Sequence, residues 1–230
     1  MGSASPVRWH SCTAFTRAVR GEPSGEAMTH TLIAFHGFTG NGERMKDALG
    51  PLVHALEPKV RVVCLNAPHV RSTAPADVAS SGARQSPSLY WWNASDDGLE
   101  YRGWEETFDV VREALERYAP ASILGFSQGA ILAAAVAALS QRGELPHVHC
   151  AVLIAGRLPR AARLQAAFMD PVRVPSLHVW GERDSVTGDF CQELADHFSD
   201  PEIAIWSGGH VIPTRGEPYE AMLRFVLERA

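Results

Sequence analysis

The sequence predicts an α/β protein, a mostly parallel central sheet with helices on both faces. Six short apolar runs are spread along the chain, and most are continuous rather than alternating, the pattern of strands buried on both faces. Amphipathic stretches of helical period lie between them, and that alternation marks a parallel sheet with helical crossovers. The 230 residues, 46% hydrophobic and 20% charged, have the composition of an ordinary globular protein. A chain of this length buries roughly 70–75% of the surface its unfolded form exposes, so residues 1–230 are expected to form one domain.

In chain order, 7-VRWHSCTAF-15 has a half-polar pattern that suits an edge strand, and 30-HTLIAFH-36 is the first continuous apolar strand. Residues 42–56 place Met45, Leu49, Leu52, Val53 and Leu56 on one helical face, and 60-VRVVCLN-66 is the next strand. Residues 67–103 form a long Pro-, Ser-, Ala- and Gly-rich connection holding the aromatic group 90-YWW-92. In 104-WEETFDVVREALERY-118 apolar residues recur at helical spacing from Trp104 to Tyr118, and Pro120 follows the end. The strand 121-ASILGF-126 leads into a helix over 128–141, and 150-CAVLIAG-156 is a further strand. After a second irregular segment, 157–175, come strands 176-SLHVWG-181 and 202-EIAIWS-207. The helix 217-EPYEAMLRFVLERA-230 has Pro218 in its first turn and an apolar face of Met222, Leu223, Val226 and Leu227. Both irregular segments are expected at the carboxyl edge of the sheet, where such folds bind ligands. The sequence shows no internal repeat.

The composition also excludes. With a net charge of -5 and no Lys/Arg cluster, nucleic acid is not an expected partner. No run approaches the ~18 apolar residues of a membrane span, and the opening residues have no apolar core segment, so no signal peptide is expected. Pro6 argues against N-terminal myristoylation. Cys12, Cys64, Cys150 and Cys191 form no CxxC pair, so a reduced, cytoplasmic protein is expected. His147 and His149 alternate at a strand start, but no third ligand is near in sequence, and neither a metal nor a cofactor is expected. His178, inside a strand, reads as a core residue.

The chemistry centres on 125-GFSQG-129. A G-x-S-x-G between a buried strand and a helix fits a nucleophile elbow. Its glycines remove side chains that would clash in the turn, and the helix points its positive end at the site. The pattern is short, and its weight comes from that strand–helix context. A serine hydroxyl needs a base, and the order expected is Ser, Asp/Glu, His. Two segments, 180-WGERDSVTG-188 and 206-WSGGHVIP-213, each follow a strand. Ser127 is thus the candidate nucleophile, His210 the base, and Asp184 the residue that orients it. Glu182 is a competing acid nearer the strand end. Two backbone N–H groups should bind the developing oxyanion: Gln128 after the nucleophile, and Phe38 in 34-AFHGFTGNG-42. His36 reads as shaping that loop rather than moving protons. Trp91 and Trp92 are either packing residues or pocket wall, the pocket being favoured for at least one. Arg157 and Val211 are further candidates for substrate contact.

These residues resemble the FSH family of small serine hydrolases, which has fungal members and a human ovarian-cancer-associated member. The matching pieces are 35-FHGFTGNG-42, 65-LNAPH-69, Trp91–Trp92, 125-GFSQGA-130, 178-HVWGERDSV-186 and 208-GGHVIP-213, in family order over nearly the whole chain. The resemblance implies an α/β-hydrolase core with little or no cap and a Ser127–Asp184–His210 triad. It implies esterase activity on a small-molecule ester, or on an acyl thioester as in fungal polyketide-releasing relatives. A departure is 154-IAGRLPR-160, where Arg157 and Arg160 stand in a segment expected to be more apolar. Acyl-protein thioesterases and carboxylesterases share the HG and GFSQG pieces and rank second. A ligand-binding protein on a hydrolase scaffold is the reading from another class. Oligomeric state and a lid role for 157–175 stay open.

Overall fold

The computed structural model describes residues 30–57, 59–71 and 86–230, so the expected edge strand at 7–15 lies outside the described residues. In chain order the elements are β1 (His30–Phe35), α1 (Gly42–Leu56), β2 (Val60–Leu65), β3 (His69–Val70), β4 (Leu89–Tyr90), β5 (Asn93–Ala94), β6 (Tyr101–Arg102), α2 (Trp104–Arg117), β7 (Ala121–Phe126), α3 (Gln128–Gln141), β8 (Val148–Ile154), α4 (Ala162–Gln165), a 3-10 turn (Ala166–Phe168), β9 (Ser176–Gly181), α5 (Gly188–Ala195), β10 (Glu202–Trp206) and α6 (Glu217–Leu227). Six strands form one sheet in the order β10-β9-β8-β7-β1-β2. Every neighbouring pair in it is parallel. All six apolar runs are strands of this sheet.

Among the described residues the sheet begins at β1, one strand from its edge, runs outward to β2, then crosses over β1 and adds the other four strands from β7 to β10. The strand order therefore reverses between β1 and β7. At such a switch point the loops leaving two adjacent strands diverge and open a crevice at their carboxyl ends. The loop beginning at His36 and the turn at Ser127 leave the sheet there.

Period-two alternation assigns the strand residues to two layers. Ile33, Phe35, Ile123, Ala151 and Leu153 face the layer of α2 and α3. Leu32, Ala34, Leu124, Val152 and Ile154 face α1 and α6. The expected face of α1 is buried throughout. In α6 the buried set is Pro218, Ala221, Met222, Phe225 and Val226, while Leu223 and Leu227 are half-buried; Phe225 takes the core position because it lies one turn beyond Ala221 on the inner face. The eight-residue α5 was not anticipated, since so short an amphipathic stretch carries little periodic signal.

Helix α3 is buried all round, from Gly129 to Ser140. The sheet covers one side. Leu164, Ala167, Phe168, Val172 and Val174, from the second irregular segment, share the same apolar cluster. Parallel β8 and β9 require this segment to run back from the carboxyl edge to the amino edge, and it does so packed against the α3 layer. Only its start, at Arg157, stays at the carboxyl edge, where the whole segment was expected. The described parts of the first long connection form two short antiparallel pairs, β3–β4 and β5–β6. Among the described residues, no helix is long and apolar enough to cross a membrane.

Candidate active site

β7 turns into α3 at Ser127, which holds φ 55° and ψ -117°. A non-glycine residue there costs about 1–3 kcal/mol and persists only when its surroundings enforce it. Three backbone hydrogen bonds do so. The Ser127 N–H donates to Ile154 O at 2.9 Å, and Ser127 O accepts from Ala130 N at 2.9 Å and Ile131 N at 3.1 Å. A Cβ on Gly125 would collide with the Gly129 carbonyl oxygen, and one on Gly129 with the carbonyl oxygen of Phe35. The two glycines thus allow strand, helix and neighbouring loop to meet at van der Waals distance.

Asp184 follows β9 and His210 follows β10. Their loops are joined by backbone hydrogen bonds, Glu182 N–H to Trp206 O at 2.7 Å and Arg183 N–H to Gly208 O at 2.9 Å. His210 Nδ1 lies 2.8 Å from Asp184 Oδ2, and its Nε2 lies 3.0 Å from Ser127 Oγ. The structure thus brings Ser127, His210 and Asp184 into one hydrogen-bonded line. Glu182 is exposed and outside it.

The carboxylate of Asp184 is buried and well supplied with donors. Oδ1 accepts from Val186 N–H at 2.8 Å and Thr187 N–H at 3.0 Å, and Oδ2 also accepts from the Thr187 hydroxyl at 3.0 Å. Burial alone would raise its pKa. The hydrogen bonds from His210, Thr187 and Val186 outweigh burial and hold it below the usual carboxylate range. An ionised Asp184 accepts a hydrogen bond from the His210 Nδ1–H, which leaves the Nε2 lone pair facing the serine hydroxyl.

Among the described residues, neither the Phe38 nor the Gln128 backbone N–H is donated to a protein acceptor. The Phe38 loop is fixed from beneath by His36. Its Nδ1 lies 2.8 Å from Gly37 O, its Nε2 accepts from Ala67 N–H at 3.1 Å, and its carbonyl accepts from the Trp91 indole at 2.8 Å. Burial lowers the His36 pKa, against the opposing pull of the Gly37 bond, and favours the neutral ring this pattern needs.

Two cavities meet at Phe38. One, of about 380 Å³, is lined by Ser127, Gln128, Trp92, Tyr101 and Arg157 among others. The second, of about 310 Å³, is lined by His210, Val211, Phe126, Met45 and Ala48 among others. Trp92 stacks on Tyr101 with centroids 4.6 Å apart, forming a flat wall. Trp91, proposed with it as a substrate contact, is instead fully buried and lines neither cavity. Its indole N–H finds its acceptor in the core, and its ring packs edge-on against Phe35.

Sequence reasoning missed two supports. The Gln128 side chain accepts from Trp91 N–H at 3.0 Å and donates to Trp92 O at 2.9 Å, tying the tryptophan segment to the elbow. No local pattern announces a bond spanning more than thirty residues. Thr187 was detectable, because Asp-x-x-Thr at a helix start is a spacing at which an Asp carboxylate meets the following N–H groups. His149 lies edge-on to both His30 and His147. Among the described residues no group of three His, Cys, Asp or Glu could hold a metal ion.

A parallel sheet with helices on both faces and a serine on a strained strand-to-helix turn defines an α/β-hydrolase. The family model described as serine hydrolase (FSH1) matches residues 27–222, and the chain belongs to that family of enzymes. Curated relatives named Esterase OVCA2 are similar over most of its length. The one from Bos taurus is 32% identical over 85% of this chain and 94% of its own, and the one from Xenopus tropicalis 34% over 84% and 90%. Among solved structures, Zea mays acyl-protein thioesterase 2 aligns with a TM-score of 0.68 at 20% identity, covering 90% of this chain and 96% of its own. That likeness shows the fold. The chain is a hydrolase, and the alternative of a pure binding protein is set aside.

Proposed function

We propose that the chain hydrolyses carboxylic esters through an acyl-enzyme on Ser127, with His210 as base and acid and Asp184 as its orienting partner. The carrying observation is the Asp184–His210–Ser127 line, at 2.8 and 3.0 Å, beside two undonated backbone N–H groups. His210 Nε2 takes the hydroxyl proton as Ser127 Oγ bonds to the ester carbonyl. The carbonyl oxygen becomes an oxyanion, which the Phe38 and Gln128 N–H groups stabilise. As the intermediate collapses, the bond to the alcohol oxygen breaks and His210 protonates that oxygen. Water, deprotonated by His210, then attacks the acyl-enzyme and releases acid and Ser127. The ionised Asp184 stabilises the imidazolium at both stages. The same steps serve a thioester with a thiol as leaving group. Residues 1–230 are read as one domain carrying this site.

The test is labelling by a fluorophosphonate, followed by turnover of esters and thioesters of matched acyl groups. Wild type should label on one serine, and Ser127→Ala and His210→Ala should neither label nor turn over while keeping their folds. Hydrolysis by Ser127→Ala at the wild-type rate would overturn the mechanism.

A further inference from the structure

The two cavities differ in chemistry, and the proposed mechanism assigns them to different halves of the substrate. His210 returns its proton to the departing atom, so the leaving group lies on the side that His210 lines. That side is apolar, walled by Phe126, Met45, Ala48, Val211 and Ile212. The cavity lined by Ser127 and Gln128 but not by His210 is left for the acyl group.

That acyl cavity holds one charged side chain. Arg157 is half-buried in its wall, no carboxylate lines the space, and among the described residues Arg157 makes no ion pair or side-chain hydrogen bond. The arginine of the other cavity is differently placed, because the Arg44 guanidinium donates to the Thr39 and Ser86 carbonyl oxygens. Arg163, further along the same segment as Arg157, is paired with Glu105. A guanidinium partly withdrawn from water with its donors unspent suits a carboxylate, which it meets through two parallel hydrogen bonds. Asn93 lines the same wall, as does Tyr101, whose hydroxyl accepts from Arg160 N–H at 2.8 Å. Arg157 also stands near. It follows β8 by three residues, Ser127 directly follows β7, and the two strands are paired up to Phe126 and Ile154. Adjacent strands lie about 4.8 Å apart, and both residues line the one cavity of about 380 Å³, a space suited to a short acyl chain.

We propose that Arg157 binds a carboxylate at the far end of the acyl chain, so that the substrate class is the half-ester or half-thioester of a short dicarboxylic acid. This rests on the ester-hydrolase reading above, to which it adds the identity of the acyl group. Hydrolysis then consumes water and the monoester or monothioester of a dicarboxylic acid, and releases the free diacid with the alcohol or thiol.

The probes are 4-nitrophenyl monoesters of adipic and suberic acid, each beside the same ester with its free carboxyl capped as a methyl ester. Nitrophenolate release gives kcat/KM for wild type, Arg157→Gln, Arg157→Lys and Ser127→Ala. Wild type should favour the free acid over the capped ester by on the order of tenfold to a hundredfold, the range of a hydrogen bond to a charged group. Arg157→Gln should erase that preference, slowing the free acid far more than the capped ester. Arg157→Lys should keep part of it, as a point charge without the fork. Salt should weaken the preference in wild type and not in Arg157→Gln. Equal rates on free and capped esters in wild type, with turnover lost in Ser127→Ala, would overturn this proposal and leave the mechanism standing. So would an Arg157→Gln variant that slows both esters by one factor. Turnover that survives in Ser127→Ala, or none in wild type, would overturn the mechanism and this proposal with it.

Discussion

Replacing Gln128 by Met separates its two roles. The backbone N–H, proposed to bind the oxyanion, is untouched, and side-chain volume is nearly kept. What disappears is the pair of bonds to Trp91 N–H and Trp92 O, at 3.0 and 2.9 Å. A hydrogen bond of this kind contributes about 1 kcal/mol net, and a buried donor left without a partner costs about 1–3. Trp91 is fully buried, so its N–H gains no water in exchange. The loss expected is therefore about 2 kcal/mol, which lowers Tm by roughly 4–8 °C in a domain of this size. The segment released carries Trp92 and, stacked on it, Tyr101, the flat wall of the cavity beside Ser127. The acyl group should be held less firmly while the chemical step keeps its donors, so KM should rise more than kcat falls. Urea unfolding followed by tryptophan fluorescence measures the first effect, and steady-state hydrolysis of a chromogenic ester the second. A midpoint matching wild type to within about 0.5 kcal/mol would refute the clamp. So would a fall in kcat with KM unchanged, which would place the side chain in the transition state rather than in the wall.

Asp184→Asn should lower kcat by up to about 10⁴ while Glu182→Gln stays within about twofold of wild type; the reverse order in ester hydrolysis would move the acid to Glu182. Gly129→Ala drives a Cβ into the Phe35 carbonyl oxygen, which is backbone and cannot swing away. It should cost at least about 3 kcal/mol, and a thermal melt superimposable on wild type would contradict the close approach. Burial pushes the His178 imidazole down from the usual 6.5 to about 4. Below 6.5 the unfolded chain takes up a proton that the folded chain refuses, so stability falls as pH drops through that window and levels off below about 4. The shift corresponds to about 3 kcal/mol. His178→Gln, which keeps a partner for Ser176, should flatten that part of the stability–pH curve in urea titrations, and an unchanged slope would show that His178 is not its source.

Much of this protein was legible in its chain. Continuous apolar runs marked the inner strands because a parallel sheet covered on both faces leaves no polar side to alternate with; the edge strands β2 and β10 are only partly covered, and Ile203 and Ile205 are exposed. The helices α1, α2, α3 and α6 were legible because period or bounding turns marked them. The elbow was readable because its demands are local: a strand, a small residue on each side of a strained serine, and a helix.

The sequence by itself determined which residues are candidates for the chemistry and the order of the elements that present them. It did not determine distances between loops. Asp184 and Glu182 lie two residues apart on one loop, and only the approach of the β9 and β10 loops, bonded at Glu182–Trp206 and Arg183–Gly208, brings Asp184 to the imidazole. Trp91 and Trp92 are neighbours of one type and are buried in one core cluster, yet only Trp92 also lines the cavity beside Ser127. Residues 158–174 had no legible role because their partner, the outer face of α3, is apolar in a helix already buried by the sheet. Local spacing records what a segment does within its own few residues. Which segment it meets is set by packing across the whole chain, and that was decided only when the two halves of the sheet closed around the switch point between β1 and β7.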